Sequence, residues 1–310
     1  MPSTWWTPEQ LTGVWSATPT PFTNRMTVDR AAVARMVKHH LRLGINGLFL
    51  CGTCGEGPWM PDDQRTSLIR ETVRQTRRRM VVAVQVTDNS AARILVNMRM
   101  AAEAGADIAI IAPPHFLMNA TSDNIVRLYR TAIRQSPLPV GIYDRGAYGS
   151  IVVPDGALKA IYSEPRVILI KDSSCNPARR DIALAIRRHR TGLRLLNGNE
   201  FDCVSYIQAG YDGLLLGGGV FNGFLARCII EAVHEGRISH AQRLQRRMNR
   251  LMWNVYGGRK ISAWLTGLKE LLVRMHVFTT RNGYLNYPLP AATKRAIARV
   301  MVQDRDVLFP

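Results

Sequence analysis

The sequence has few cysteines, few acidic residues and no long hydrophobic run. Five cysteines in 310 residues, an odd number, are too few for a disulfide-stabilised scaffold and exclude that class. No segment reaches the roughly 18 consecutive apolar residues of a transmembrane helix, so we expect no membrane association. The N-terminal segment lacks the basic start and apolar stretch of a secretory signal, and we expect a cytoplasmic protein.

The shortage of acidic residues leaves an excess of positive charge. The chain has 41 Lys and Arg against 23 Asp and Glu, a formal net charge of +18. Basic residues cluster at 77–79, at 187–190 and along one face of a predicted helix, but no nucleic-acid-binding motif accompanies them. We therefore interpret these clusters as a solvated basic surface that aids capture of an anionic substrate, and predict no nucleic-acid partner.

Short apolar runs recur along the chain, and each is followed by a stretch with room for one helix. Because the runs are mostly continuous rather than alternating, they indicate strands buried on both faces. The eight runs lie at 13–20, 47–53, 81–86, 108–112, 139–143, 167–171, 193–197 and 213–217. This order predicts a closed (β/α)8 TIM barrel. An open doubly wound sheet is the alternative, but it would usually have a glycine-rich turn after its first strand.

Helical spacing of apolar residues predicts the elements between and after the strands. Within the barrel the clearest helices are 29–43, 91–104, 121–134, 200–209 and 223–236. Three more follow at 239–256, 261–275 and 291–300. The sequence therefore predicts a barrel over residues 1–236 and a helical C-terminal region over residues 237–310.

The carboxyl ends of the strands are where such barrels carry their active sites, and Lys171 and Tyr143 lie there. Lys171 closes the run Val167–Ile170, where desolvation favours a neutral, nucleophilic amine that can form a Schiff base. The same position also suits a structural lysine paired with a carboxylate. Tyr143 ends the fifth strand, where its hydroxyl can move protons during imine formation or can belong to the core.

A glycine-containing turn, Gly52–Glu56, follows the second strand. Its backbone N–H groups and the Thr53 hydroxyl can hold a carboxylate or a phosphate. Cys51 and Cys54 form a C-x-x-C pair, which is also found in redox and metal sites. With no second pair and no neighbouring histidine cluster, we interpret these cysteines as structural and predict no metal.

The combination of Gly52–Glu56, Tyr143 and Lys171 at the ends of strands 2, 5 and 6 resembles the dihydrodipicolinate synthase and N-acetylneuraminate lyase family. These are class I pyruvate-dependent aldolases on a (β/α)8 barrel with additional C-terminal helices. Further similar stretches extend the resemblance from about residue 11 to about residue 292; they are 18–22, 113–114, 197–198 and 210–213.

The resemblance implies a role for each of these residues. Lys171 would form the Schiff base with the 2-oxo carbon of pyruvate or another 2-oxo acid, and Tyr143 would relay protons. The N–H groups of Thr53 and Cys54 would bind the substrate carboxylate, with the Thr53 hydroxyl joining the relay. The protonated imine is an electron sink that permits carbon–carbon cleavage, condensation or dehydration without a metal or a dissociable cofactor. A homotetramer is also implied.

Several positions depart from the family pattern. Cys54 replaces a second Thr or Ser, and His115-Phe116 replaces an aromatic pair whose tyrosine joins the relay from a neighbouring subunit. His115 is a candidate hydrogen-bond donor to substrate, although it could also simply pack. The arginine that usually binds the substrate carboxylate is absent from its place. Arg145 is the candidate substitute, although it could also be a surface charge that does not bind substrate.

The segment after strand 7 supplies two further candidate substrate-binding residues, Gly198 and Glu200. The neuraminate lyases have two acidic residues here, whereas this chain has Glu200 followed by Phe201. The run at 143–145 is similar to one in some sugar-acid dehydratases of the family. Our main hypothesis is a Schiff-base-forming aldolase, lyase or synthase acting on a 2-oxo acid. A keto-deoxy sugar acid dehydratase or aldolase using the same lysine is one alternative, and a non-catalytic 2-oxo acid-binding protein is another.

Overall fold

The computed structural model describes residues 4–310, and its central element is a closed barrel of eight parallel strands. Neighbouring strands pair in chain order, and the eighth pairs with the first. They are β1 Gly13–Ala17, β2 Gly47–Leu50, β3 Val81–Gln85, β4 Ile108–Ile111, β5 Val140–Asp144, β6 Val167–Asp172, β7 Arg194–Asn197 and β8 Gly213–Leu216. The predicted (β/α)8 barrel is therefore confirmed, and the open sheet is excluded.

One helix follows each strand on the outside of the barrel. These are α1 Arg30–Leu43, α2 Asp62–Thr76, α3 Ala91–Glu103, α4 Ser122–Gln135, α5 Asp155–Tyr162, α6 Pro177–Arg188, α7 Cys203–Gln208 and α8 Gly219–His234. The C-terminal region adds α9 Ile238–Tyr256, α10 Trp264–Arg274, α11 Ala291–Gln303 and α12 Arg305–Leu308. The predicted division after residue 236 falls between α8 and α9. No helix within residues 4–310 has the length and apolarity needed to cross a membrane.

Several element boundaries differ from the sequence prediction. Strand β1 ends at Ala17 rather than at residue 20, and helix α8 begins at Gly219 rather than at residue 223. Two further differences have a local reason. Strand β2 ends at Leu50 rather than at residue 53, because Cys51 adopts the left-handed conformation with φ of 56°. Helix α7 begins at Cys203 rather than at residue 200, because the Asp202 side chain caps it by accepting from the Ser205 N–H.

Many of the basic residues bind the carbonyl groups at the carboxyl ends of helices and in the loops beyond. Arg190 donates to the carbonyl oxygens of Tyr162 and Val167 at 2.6 and 2.8 Å. Arg79 donates to the Thr76 carbonyl at 3.2 Å, in the last turn of α2. Cations are favoured at this end of a helix, so part of the excess charge has a structural role.

A buried ion pair joins the C-terminal region to the turn after β2. Lys269 of α10 donates to the Glu56 carboxylate, and both side chains are almost completely shielded from solvent. Lys269 also donates to the Asn282 carbonyl at 2.7 Å, while Glu56 accepts the N–H groups of Tyr284 and Leu285. Burial lowers the pKa of Lys269, and the Glu56 charge opposes that shift. The end of the turn that contains Thr53 is thereby held in place by residues far away in the sequence.

Two buried histidines join α1 to the elements on either side of it. The His40 ring lies 2.9 Å from the Ser16 hydroxyl on β1 and 2.8 Å from the Met36 carbonyl. The His39 ring lies 2.9 Å from the Val220 carbonyl of α8. Burial lowers the pKa of His39 to about 4 and that of His40 to about 3, so both are neutral in the folded protein at pH 5.

These histidines predict that the protein loses stability on mild acidification. Below pH 6.5 these histidines become protonated in the unfolded chain but stay neutral in the folded protein. The free energy of unfolding should therefore fall as the pH falls from 6.5 to about 4. Each histidine contributes up to about 1.4 kcal/mol per pH unit. Urea unfolding of wild type and His40→Gln at several pH values measures this effect, and the variant should show a shallower dependence. Identical slopes would contradict the assignment.

The Glu56–Lys269 pair predicts a large loss of stability when only one partner is removed. Lys269→Met leaves a buried carboxylate without its partner and should lower the free energy of unfolding by roughly 3–5 kcal/mol. The double variant Glu56→Gln/Lys269→Met should recover much of that loss. The matched control is Arg227→Met, which breaks an exposed pair with Glu231 and should cost less than about 1 kcal/mol. Equal losses for Lys269→Met and the control would show that the buried pair has no special structural role.

Candidate active site

Lys171 lies at the end of β6 with its side chain directed into the barrel mouth. It pairs in register with Tyr143 of β5 and Leu196 of β7, and only 5% of it is exposed. Its Nζ atom lies 4.1 Å from the centre of the Tyr143 ring and 4.9 Å from that of Phe49. The two rings meet edge to face with centroids 5.8 Å apart. Aromatic surfaces therefore surround the amine on this side.

The Tyr143 hydroxyl lies in a positively charged, hydroxyl-rich environment. Burial alone would raise its pKa, but the charges of Lys171 and Arg145 and hydrogen bonding with Ser173 and Thr53 outweigh burial, and the pKa is lowered. A phenol with a lowered pKa exchanges its proton more readily near neutral pH. The structure thus brings together the three predicted catalytic residues, which belong to β5, β6 and the turn after β2.

The turn after β2 is held at both ends by residues in the left-handed conformation. Cys51 and Glu56 each have φ of 56°, and the Thr20 hydroxyl donates to the Gly55 carbonyl at 2.6 Å. Cys54 is buried, with Sγ 3.9 Å from the Gly217 carbonyl oxygen. Among residues 4–310, the N–H groups of Thr53 and Cys54 donate to no backbone carbonyl. They remain available to a bound carboxylate.

The C-x-x-C pair consists of two buried thiols. Burial raises the pKa of Cys51 to about 11, and burial together with the Glu200 charge raises that of Cys54 to about 12. Both cysteines are therefore neutral thiols at pH 7, which are weak nucleophiles and weak metal ligands. Within the described part of the chain, no cluster of three or more His, Cys, Asp or Glu side chains could hold a metal ion.

Glu200 is fixed at the side of the mouth formed by β7 and β8. Its carboxylate accepts the Gly218 N–H at 2.7 Å and the Tyr256 hydroxyl at 3.0 Å. Burial raises the pKa of Glu200, while these two hydrogen bonds and the Lys171 charge oppose the rise. Tyr256 belongs to α9, outside the barrel, and no motif in the surrounding sequence indicates that it reaches the site.

Arg145 and His115 lie at the rim of the mouth. Arg145 is half-buried, and its charge contributes to the lowered pKa of both Tyr143 and His115. Partial burial is the larger cause of the His115 shift. His115 also lines a cavity of about 530 Å³ between the loops after β2 and β3, a cavity that Lys171 does not line. The charge of Arg145 therefore acts on the phenol beside Lys171, whereas His115 lines a separate cavity.

Asp144 points away from the mouth although it lies between two candidate site residues. Its carboxylate forms a buried double hydrogen bond with the Arg179 guanidinium of α6, at 2.8 and 3.0 Å. It also accepts the Gly146 N–H at 2.9 Å. The ion pair fastens the end of β5 to the helix layer, so that Tyr143 on the opposite face is directed inward.

Gly198 lies against Ser173, a residue that the sequence alone did not single out. The Gly198 N–H donates to the Asp172 carbonyl at 2.6 Å, and a Cβ atom at Gly198 would lie only 2.0 Å from the Ser173 hydroxyl oxygen. The absence of a side chain at Gly198 therefore makes room for this hydroxyl. Its position in the sequence could have indicated this contact. Ser173 follows Lys171 by two residues, and alternate residues along an extended chain point to the same side.

Known proteins are similar to this chain in sequence and in fold. A 4-hydroxy-tetrahydrodipicolinate synthase of Chlorobium luteolum is 25% identical over 292 residues, which are 94% of this chain and 96% of the relative. An N-acetylneuraminate lyase of Rhizobium meliloti is 28% identical over 244 residues, 78% and 80% of the two chains. The solved dihydrodipicolinate synthase of Bacteroides thetaiotaomicron superposes with a TM-score of 0.85 at 23% identity, covering 94% and 98%, and shares the fold.

The family match extends over nearly the whole chain, as the resemblance in the sequence predicts. Residues 10–296 match the family described as "Dihydrodipicolinate synthetase family". The matched range includes every strand of the barrel, Lys171, Tyr143 and the turn after β2. The chain is therefore a member of the dihydrodipicolinate synthetase family.

Proposed function

We propose that this protein is a class I aldolase, lyase or synthase that binds pyruvate or another 2-oxo acid as a Schiff base on Lys171. The observation that carries the proposal is the position of the Lys171 amine, 4.1 Å from the Tyr143 ring in a largely desolvated barrel mouth. Relatives named as 4-hydroxy-tetrahydrodipicolinate synthase and N-acetylneuraminate lyase support the lyase class. No cofactor is needed for this chemistry, since the imine itself is the electron sink.

Proton transfer in the proposed reaction centres on Tyr143. The Lys171 amine attacks the 2-oxo carbon while the Tyr143 hydroxyl protonates the carbonyl oxygen, which gives a carbinolamine. The nitrogen returns a proton to the phenolate, and the phenol then protonates the departing hydroxyl as water, leaving a protonated imine. The Tyr143 phenolate that remains then accepts a C3 proton, which gives the enamine, the nucleophile for condensation. Cleavage runs through the same enamine in the opposite direction.

The substrate carboxylate is proposed to bind on the wall opposite Lys171. The free N–H groups of Thr53 and Cys54 support this placement, because two adjacent backbone donors suit a carboxylate. The Thr53 hydroxyl, which contributes to the lowered pKa of Tyr143, joins the proton relay. Cys54 contributes its N–H group here, while its buried thiol stays neutral.

The rest of the substrate is proposed to extend toward Arg145 and Glu200, on either side of Lys171. A half-buried guanidinium suits a second acidic group, and a fixed carboxylate accepts hydrogen bonds from substrate hydroxyls. Glu200, whose pKa is raised, can also supply a proton to a departing hydroxyl group. This last feature favours a keto-deoxy sugar acid dehydratase as a second candidate function. His115 is proposed to contact substrate only at the outer rim.

The proposed Schiff base predicts a specific adduct. Borohydride reduction in the presence of pyruvate should attach a pyruvate-sized group to the peptide containing Lys171, detected by intact and peptide mass spectrometry. Lys171→Ala should abolish it, and the buried Lys269 should remain unmodified. Pyruvate release from a candidate substrate would indicate cleavage, and loss of water alone would indicate dehydration. No adduct with any 2-oxo acid would contradict the proposal and favour a non-catalytic role.

We further propose that the protein is a cytoplasmic homo-oligomer, with the tetramer as the expected form. The loops after β4 and β5 are joined by a hydrogen bond from Ser150 to the Pro114 carbonyl at 2.8 Å. They expose Phe116, Met118 and Tyr148, each more than 60% accessible, at a rim that a second copy would cover. Light scattering should show an oligomer, and Met118→Glu should weaken it. A monomeric wild type at micromolar concentration would contradict the proposal.

A further inference from the structure

A groove with a volume of about 450 Å³ lies on the outside of the barrel, between α1 and α2. Arg79, which lines it, comes two residues before β3, so the groove extends toward the amino ends of the strands. The candidate active site is at the opposite end of the barrel and shares no residue with this lining. A cavity of this size accommodates a small organic molecule.

Four cationic side chains line the groove, and no acidic side chain of residues 4–310 does so. The four are Arg35 and Lys38 of α1, and Arg77 and Arg79 beyond the end of α2. In the part of the chain that the structure describes, none of them takes part in an ion pair. Like charges that converge without a counter-charge repel one another, and a bound anion would offset that repulsion.

Glu71 of α2 reaches the edge of the groove through Gln75, but its charge is already paired. Its carboxylate accepts two hydrogen bonds from the Arg74 guanidinium, at 2.6 and 3.1 Å. It also accepts one from the Gln75 side chain at 2.7 Å. Arg74, rather than a cation of the groove, therefore neutralises this carboxylate.

Two of the four cationic groups are held in place by backbone carbonyl groups. Arg35 Nε donates to the Val277 carbonyl at 3.0 Å, and Arg79 donates to the Thr76 and Gln75 carbonyls at 3.2 and 3.3 Å. Arg35 Nη2 is buried and has no hydrogen-bond partner among the described residues. A buried donor without an acceptor is costly, and a guanidinium that is already fixed loses little freedom when it binds an anion.

The same groove has an aliphatic wall, which is formed by Ala34, Val37 and Leu41 of α1. These residues are three and four positions apart and so lie on one face of the helix. Inorganic phosphate alone would leave this wall uncovered. An organic phosphate would cover it with its apolar part while its oxygens reach the cations.

We propose that this groove is a second ligand site, which binds a small organic phosphate. A phosphate group carries more than one negative charge and several acceptor oxygens, and it suits four cations without an acidic neighbour better than a single carboxylate does. The site goes beyond the proposed function and does not depend on the Schiff base. It gives a specific partner to Arg77 and Arg79, two members of the basic cluster at 77–79.

Adenosine diphosphate (ADP) is the probe, because it joins two phosphate groups to an apolar ring system. Calorimetric titration at constant ionic strength should show one ADP bound per chain, weaker binding of pyrophosphate and no binding of adenosine. Arg77→Gln and Lys38→Gln should each weaken ADP binding about 10-fold or more, because each removes a charge-assisted hydrogen bond. Leu41→Gln should weaken binding of ADP but not of pyrophosphate.

Arg78→Gln and Arg188→Gln are the matched controls, since each removes one positive charge from an exposed arginine. Arg78 is next to Arg77 in the sequence but lines a different cavity, beside Trp5 and Trp6. Arg188 is the last residue of α6. Both controls should leave the affinity for ADP within about twofold of wild type, because solvent and salt screen charges outside the groove.

Three results would overturn this inference. One is the absence of ADP binding to the wild type. Another is a loss of affinity in Arg188→Gln as large as in Arg77→Gln, because binding would then depend on net charge alone. The third is displacement of ADP by duplex DNA at equal phosphate concentration, which would assign the groove to nucleic acid. The pyruvate adduct on Lys171 should form equally in wild type and Arg77→Gln, so this test and that of the proposed function fail separately.

Discussion

The buried ion pair between Glu56 and Lys269 is the interaction on which the architecture of the site depends. The turn after β2 begins and ends in left-handed conformations, which are costly for residues other than glycine, and the ion pair holds its last residue, Glu56, in place. The same carboxylate binds the N–H groups of Tyr284 and Leu285. Residues of the C-terminal region therefore support this side of the barrel mouth. Tyr256 of the same region supports the β7 side, because its hydroxyl donates to Glu200.

The buried charges near the mouth divide into those that are fully paired and those that are not. Asp144 is paired with Arg179, and Glu56 is paired with Lys269. Lys171 instead faces the rings of Phe49 and Tyr143. Because the other buried charges are paired elsewhere, this amine is the group that we propose attacks a bound carbonyl. Its positive charge in turn helps to lower the pKa of Tyr143, so the two groups act as a unit.

The sequence was sufficient for the barrel and for the residues at strand ends, because both depend on short-range patterns. Continuous apolar runs indicate buried parallel strands, and Lys171 and Tyr143 each close such a run. The structural roles of Lys269 and Tyr256 could not be predicted. Their partners lie 213 and 56 residues away in the sequence, and no local pattern indicates these contacts. Gly198 could be singled out from its position, but only the structure relates it to Ser173. The role of Asp144 likewise depends on Arg179 of α6, 35 residues away in the sequence.

The central claim is that Lys171 binds a 2-oxo acid covalently within this arrangement of hydroxyls and backbone donors. A crystal structure of the protein soaked with pyruvate tests it most directly. We predict continuous electron density from Lys171 Nζ to the 2-oxo carbon, with the carboxylate against the N–H groups of Thr53 and Cys54. Pyruvate bound elsewhere, or a free Lys171 amine at saturating pyruvate, would contradict the claim.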